Sequence, residues 1–462
     1  MTTYLEETLT EVDMNPLGHE LESVQYELRK LVDLDALAGA LSRNTYAQVP
    51  DEIRMSDFIS RPDFYHSETS AGVKQTPLEH TKLTDRVTVY DKREDLQAPG
   101  AYKFRGASLD ISLAIEENPS LRVFTTASAG NHALGVAHKV MQLNKKRDSS
   151  GFSGGRYEAH IYCLQTISDA KREELLKFKE WGVTLHGDYD VFDAALTEAE
   201  LAAELNSTET HFVPPFDHQR IIAGQATLGL ELLGDLQLDG VDLLKDEIVA
   251  FVPIGGGGLL SGTVTAWEWA KREGILGDSA RLVGVQMEGC DAMTREIMNE
   301  PALTLDRLNK MCDGTAVLTA GKQTTSIVKD SVSDFVRVTE LEVANAMMHS
   351  GLDHGGHIPE PAGALSAAGA KRLINELTQS ERNNSNRLAI ITLTTGSNVS
   401  SSTVNYFRRL AGDAKWNQFK SSFNPSLNVE DTDANLESYF SSLAHGIGKT
   451  VVAAGISGRF RP

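Results

Sequence analysis

Four consecutive glycines, Gly255–Gly258, constrain the fold of this chain more than any other feature. They follow an apolar run, Ile248-Val-Ala-Phe-Val-Pro-Ile254, and precede a helical stretch that reaches Trp269. A buried strand, a turn without side chains and a helix, in that order, let the backbone bend sharply and aim its N–H groups at one point. With the helix dipole behind them, such amides form an anion cradle. The spacing is not GxGxxG and no Lys-Ser/Thr pair follows, which disfavours a dinucleotide fold and a P-loop ATPase. A plain flexible turn stays open as a reading at this point.

Other segments repeat the strand-to-helix alternation. Val87–Tyr90, Val123–Thr126, His160–Cys163, Val183–His186, Leu282–Gln286 and Leu388–Leu393 read as strands. Residues 133–137, 171–181 and 223–236 read as helices, and 144–157 (NKKRDSSGFSGGRY) as an exposed loop insertion. This pattern predicts an α/β fold with open, twisted, mostly parallel sheets flanked by helices. Residues 1–69 stand apart. Up to residue 70 there are 14 Asp/Glu against 5 Lys/Arg, and Leu21, Val24, Leu28, Leu31 and Leu34 recur at helical spacing. They predict an acidic helical extension; the tail from 401 to 462 carries no readable pattern.

Charge and cysteines narrow the function classes. With 64 acidic and 44 basic residues the net charge is −20, which offers no field for nucleic acid or an anionic membrane. Cys163, Cys290 and Cys312 form no CxxC pair and no zinc spacing. Their scarcity favours a reducing cytoplasm. The N-terminus has neither a basic start nor an apolar h-region, and no apolar run approaches a membrane span.

Three further motifs carry candidate chemistry. Ser128-Ala-Gly-Asn-His132 follows a strand and opens a helix, so its amides and polar side chains would meet a carboxylate or a ring oxygen. A helix N-cap by Ser128 or Asn131 is the plainer alternative, and His132 reads equally as a packed histidine. Lys103, between Tyr102 and Phe104, would acquire a lowered pKa and nucleophilic character in an apolar pocket; a snorkelling surface lysine is the alternative. Thr394-Thr-Gly-Ser-Asn398 offers hydroxyls to a ring nitrogen at a strand end, or is an ordinary loop. A single ligand with a phosphate, an aldehyde and a ring nitrogen satisfies all of them, and pyridoxal phosphate has the three groups.

These residues also carry a resemblance. The chain resembles the fold-type II pyridoxal-phosphate enzymes (the tryptophan synthase β-like fold), and within them the threonine and serine dehydratases. The likeness runs through Thr76-Pro-Leu78, Lys92-Arg-Glu-Asp-Leu-Gln97 and Tyr102-Lys-Phe-Arg-Gly-Ala107. It continues in Thr126–Ala133, Ala223-Gly-Gln-Ala-Thr227, Gly255–Leu259, Asp313–Val317, Glu360-Pro-Ala-Gly-Ala364 and Thr395-Gly-Ser-Asn398. The resemblance implies that Lys103 holds the cofactor as a Schiff base and moves the substrate's Cα proton. It implies that Gly255, Gly256, Gly257, Gly258 and Leu259 bind the phosphate. Asn131 would meet the ring 3′-oxygen, Thr395 the pyridine nitrogen, and Gly314 and Glu360 would lie near the ring. Ser128, Ala129, Gly130 and His132 would line the substrate carboxylate. A hydroxyl at the pyridine nitrogen makes the ring a weaker electron sink than an aspartate does, and favours quick loss of a β-leaving group.

The implied reaction is loss of water from L-threonine, and from L-serine, to a 2-oxo acid and ammonia. Another 3-hydroxy amino acid such as 3-hydroxyaspartate, β-replacement chemistry, and a cofactor-binding subunit without activity are the alternatives. Against β-replacement stands Asn131-His132, where the synthases usually have Asn-Thr. Against an inactive subunit stands the joint presence of Lys103 and the glycine loop. Ala129 replaces the serine base of the family's racemases, and Gln286 replaces a glutamate that binds metal in some relatives, so no metal is expected. The residues after 403 lack the βαββαβ pattern of regulatory domains, which puts isoleucine feedback in doubt. The resemblance places a larger cofactor-binding domain at 70–124 and 215–400 and a smaller one at 125–214, in a cytoplasmic homodimer or homotetramer acting on a small amino acid.

Overall fold

The apolar runs form two separate sheets in the computed structural model, which describes residues 73–412 apart from 129, 151–154, 166, 168, 191, 355–356 and 378–386. The helix expected in the acidic extension and the tail beyond 412 lie outside the described residues. In chain order the strands are β1 (Leu78–Lys82), β2 (Val87–Lys92), β3 (Val123–Ala127), β4 (Glu158–Leu164) and β5 (Val183–Tyr189). They continue as β6 (Thr210–Phe212), β7 (Glu247–Pro253), β8 (Arg281–Met287), β9 (Asp334–Val338) and β10 (Leu388–Leu393). The helices are α1 (Phe104–Glu117), α2 (Asn131–Ser149), α3 (Asp169–Leu176), α4 (Phe192–Leu205), α5 (Gln219–Leu238) and α6 (Gly258–Arg272). After them come α7 (Ala292–Ile297), α8 (Lys322–Val328), α9 (Glu340–Asp353), α10 (Pro361–Glu376) and α11 (Ser401–Ala411).

The larger sheet has the order β1-β2-β10-β7-β8-β9, and the smaller has β5-β4-β3-β6. All pairings are parallel except β1 with β2. Strand β7 shows why the sequence reads as unbroken apolar residues. Ile248, Ala250 and Val252 enter the core shared with α5 and α6, while Val249 and Phe251 enter the opposite core with α10. A sheet covered on both faces leaves no polar side to alternate with. The smaller sheet buries Phe124, Ala159 and Ile161 against Ala133, Val136, Ala137 and Val140 of α2.

The structure corrects three local expectations. Residues 144–149 are not loop but the last turns of α2. Asn144 is fully buried there, exchanging hydrogen bonds of 2.9 Å with the Tyr157 backbone. The helix expected over 171–181 stops at Leu176, and a 3-10 turn covers 179–181 before Gly182 takes a left-handed φ of 89°. Residues 401–411 of the unread tail form α11, whose Val404 and Phe407 pack into the core beside α9.

Candidate active site

Loops at the C-terminal ends of β3, β7 and β10 converge, the side of a parallel sheet where open α/β folds bind ligands. Ser128 follows β3, Gly255 follows β7 and Thr395 follows β10. The lysine loop is stitched onto the β10 loop. Ala101 bridges Gly396, Tyr102 N–H donates to Thr395 O at 3.2 Å, and Asn398 Nδ2 donates to Pro99 O at 2.9 Å. Lys103 stands just before the first turn of α1, with Nζ 5.3 Å from the centroid of the Tyr102 ring. Phe104 turns away into the core with Val73 and Leu109, so one aromatic flanks the amine rather than two.

Beneath Lys103 lies a buried ion network. Arg105 donates to Glu94 at 2.6 and 2.8 Å and to Glu231 at 2.8 Å. Lys92 donates to Glu231 at 2.6 Å, Asp235 at 2.5 Å and Thr76 O at 2.6 Å. Burial pushes the Glu231 carboxyl up, but Arg105 and Lys92 outweigh it and hold the pKa below the usual range. These charges bolt the start of α1 to α5. Where the two helices cross, a Cβ on Gly224 would lie 2.6 Å from Gly106 Cα. Sequence reasoning assigned no role to this network, because nothing local distinguishes a buried arginine from an exposed one.

The glycine loop is held open as a backbone cradle. Gly257 takes φ 93°, and no side chain caps α6, so its first N–H groups have no intrahelical partner. A Cβ on Gly256 would stand 2.3 Å from the Phe216 ring, and one on Gly255 3.0 Å from Thr315 Cα. Thr324 Oγ1 pins the loop by donating to Gly256 O at 2.7 Å. Leu259 is buried in the first turn of α6.

Glu360 ties the loops together. Asn131 Nδ2 donates to Glu360 Oε1 at 2.6 Å, and Asn398 Nδ2 donates to Asn131 Oδ1 at 2.8 Å. A Cβ on Gly314 would lie 3.6 Å from Glu360 Oε1, and one on Gly396 2.4 Å from the same oxygen. Burial raises the Glu360 pKa to about 7, against the pull of Lys171, the Asn131 bond and Lys103. Thr395 is buried, its Oγ1 3.4 Å from Ala362 O. Gly130 N–H donates to Ser128 Oγ at 3.2 Å, and a Cβ on Gly130 would meet nothing within 4 Å. His132 spends its Nε2 on Val213 O at 3.2 Å; burial and then the Lys103 charge lower its pKa to about 4. Ala129 lies outside the described residues. Gln286 is occupied within its own loop, accepting from Thr294 and donating to Cys290 O at 2.9 Å.

Residues 69–392 match the family described as pyridoxal-phosphate dependent enzyme. The chain belongs to that family. Its cofactor is pyridoxal phosphate, and its two mostly parallel sheets are those of the fold-type II enzymes. A biosynthetic L-threonine dehydratase from Lactococcus lactis is 32% identical over 312 residues, 66% of this chain and 68% of the relative. Another from Staphylococcus epidermidis is 34% identical over 303 residues, 64% of this chain and 65% of the relative. The chain thus spans about two thirds of the length of these curated relatives. The solved structure of processed threonine deaminase isoform 2 from Solanum lycopersicum superposes with a TM-score of 0.59. It is 28% identical, over 74% of this chain and 89% of that one.

The residues present fit the cofactor. A phosphate needs backbone donors without competing side chains, and the uncapped, left-handed glycine turn supplies them. Of the expected site residues, Asn131, Gly314 and Glu360 form one contact cluster, which Gly396 completes, and Gly255 packs on Gly314 and Thr315. Lys103 acts on both His132 and Glu360 through its charge.

Proposed function

We propose that this enzyme removes water from L-threonine, and from L-serine, giving 2-oxobutanoate or pyruvate and ammonia. The observation that carries the reading is the end of β10, where Thr395 is buried with its hydroxyl 3.4 Å from Ala362 O; on this reading that hydroxyl is the ring-nitrogen partner. A hydroxyl does not hold a proton on a pyridine nitrogen as a carboxylate does. Bound there, pyridoxal phosphate supplies an electron sink of limited depth, suited to quick loss of a β-hydroxyl. Lys103 Nζ holds the cofactor and accepts the proton from the substrate Cα. The amides of Gly255–Leu259 hold the phosphate. Asn131 and Glu360 orient the ring edge, and the Ser128–His132 turn receives the substrate carboxylate. Breaking the Cα–H and Cβ–O bonds releases water, and the enamine product tautomerises and hydrolyses to the 2-oxo acid and ammonia.

The same reading assigns residues 70–124 and 215–400 to the larger lobe and 125–214 to the smaller, whose closure excludes water. It includes a homodimer or homotetramer and a cytoplasmic setting, in keeping with three free, buried cysteines. Among the described residues no helix is long and apolar enough to cross a membrane.

A 2-oxo acid assay with threonine, serine and 3-hydroxyaspartate tests the activity. Threonine is expected to turn over, and Lys103→Ala to abolish both turnover and the absorbance of the lysine-bound cofactor. Wild-type protein that binds the cofactor and deaminates none of the three refutes the reading.

A further inference from the structure

Glu360 is approached from the smaller sheet by two groups. One is Asn131 at the start of α2, through its 2.6 Å hydrogen bond. The other is Lys171 on α3, the cation that most opposes the carboxyl's burial. Lys171 is itself partly buried, and that burial lowers its pKa. Its ammonium donates to Asp313 Oδ2, which sits 142 residues away in the 310–315 turn beneath α10. Asp313 adjoins Gly314, the residue packed against Glu360 and Ala362. Thus α3, which belongs with the smaller sheet, is joined to the larger one at the edge of the site.

We propose that Lys171 is a positioning residue: its pair with Asp313 joins the lobes and brings a cation to Glu360 that offsets part of the cost of burying that carboxylate when the lobes are together. The proposal rests on the reading of Glu360 as a group at the cofactor ring. The other charged groups that act on Glu360 are Lys103, which also favours its ionisation, and Asp95, which opposes it; Glu360 in turn helps to raise the buried Cys312 thiol, and Asp313 carries the pair to Lys171. A lysine 27% exposed, paired with an aspartate 50% exposed, contributes little to stability. Its value on this reading is electrostatic, at a carboxyl that water does not screen.

Infrared titration of the full-length protein loaded with pyridoxal phosphate tests this, with Glu360→Gln used to assign the carboxyl band. The wild-type band is expected to titrate well above the ordinary carboxylate range. Lys171→Met, with Lys171→Gln as a second neutral variant, should raise its midpoint by about one pH unit, a roughly tenfold change in the protonation equilibrium. Lys171→Arg should restore it. The apparent pKa in the kcat/KM profile should move with the band. An unmoved midpoint in either neutral variant that still loads cofactor overturns the proposal, as does a wild-type band that titrates like an exposed glutamate. Loaded protein that shows these shifts yet deaminates no hydroxy amino acid overturns the function proposed above and leaves the pairing intact.

Discussion

Replacing Glu360 by glutamine is expected to stabilise the folded chain, and to do so increasingly as pH rises above the point where the unfolded chain's carboxyl ionises. The side chain is buried, and burial raises its pKa from 4.5 to about 7. A carboxyl raised in the folded state is protonated there at a pH where the unfolded chain has already released its proton. Stability therefore falls as pH climbs from the unfolded value through the folded one, and levels off above it. At about 1.4 kcal/mol per pH unit, the gap amounts to about 3 kcal/mol at pH 8. At pH 5 the same linkage gives about 0.8 kcal/mol. Glutamine keeps an oxygen for Asn131 Nδ2 and carries no charge at either pH. Urea unfolding of wild type and Glu360→Gln at pH 5 and pH 8, at constant m-value, should show the variant's advantage growing by about 2.5 kcal/mol. An advantage that differs by less than about 0.5 kcal/mol between the two pH values refutes the argument, because a neutral substitution acting through packing has no reason to follow pH.

Arg105→Met should cost about 3–5 kcal/mol, since it removes the cation bonded to the buried Glu94 carboxylate and leaves Glu231 with Lys92 alone. The depressed Glu231 pKa gives stability that is present above the unfolded carboxyl pKa and lost as pH falls through the folded one. The variant's deficit should thus be larger at pH 7 than at pH 4 in thermal unfolding. Gly256→Ala drives a Cβ into the Phe216 ring; equilibrium dialysis should show cofactor affinity falling at least about tenfold, with partial recovery on adding Phe216→Ala. His132 has a pKa near 4 and keeps Nε2 on the Val213 carbonyl. His132→Gln, which retains a donor, should therefore leave every apparent pKa between 5 and 8 in the rate profile unmoved.

The readable parts of this chain are those where chemistry forces local composition. Gly255–Gly258 had to be free of side chains because Phe216, Thr324 and Met293 occupy the space a Cβ would need. The middle residues of β7, 248–252, and of β10, 389–391, had to be apolar because both faces are covered. Asn144 was misread because its neighbours are polar, and only Tyr157 and Trp181, which meet it in space, make it a core residue. Arg105, Glu231 and Lys171 escaped a role for the same reason. A charge acquires its function from a partner more than a hundred residues away, which no local window contains.

The polar groups of the site explain why its two halves belong together. Asn131 has one amide and divides it, giving Nδ2 to Glu360 and accepting from Asn398 at Oδ1. Both partners sit on the larger sheet's loops, while Asn131 opens a helix packed on the smaller sheet. On the proposed two-lobe reading, moving the smaller lobe outward strips Glu360 of its hydrogen-bond donor and of Lys171 but also admits water, and burial is the largest cause of its raised pKa. Regained solvation outweighs the two lost contacts, so opening favours the charged carboxylate and closure raises its pKa to about 7. Asn131 and Lys171, both arriving with the smaller lobe, limit how far burial raises it. Without them a carboxyl buried beside the cofactor would hold its proton more tightly still.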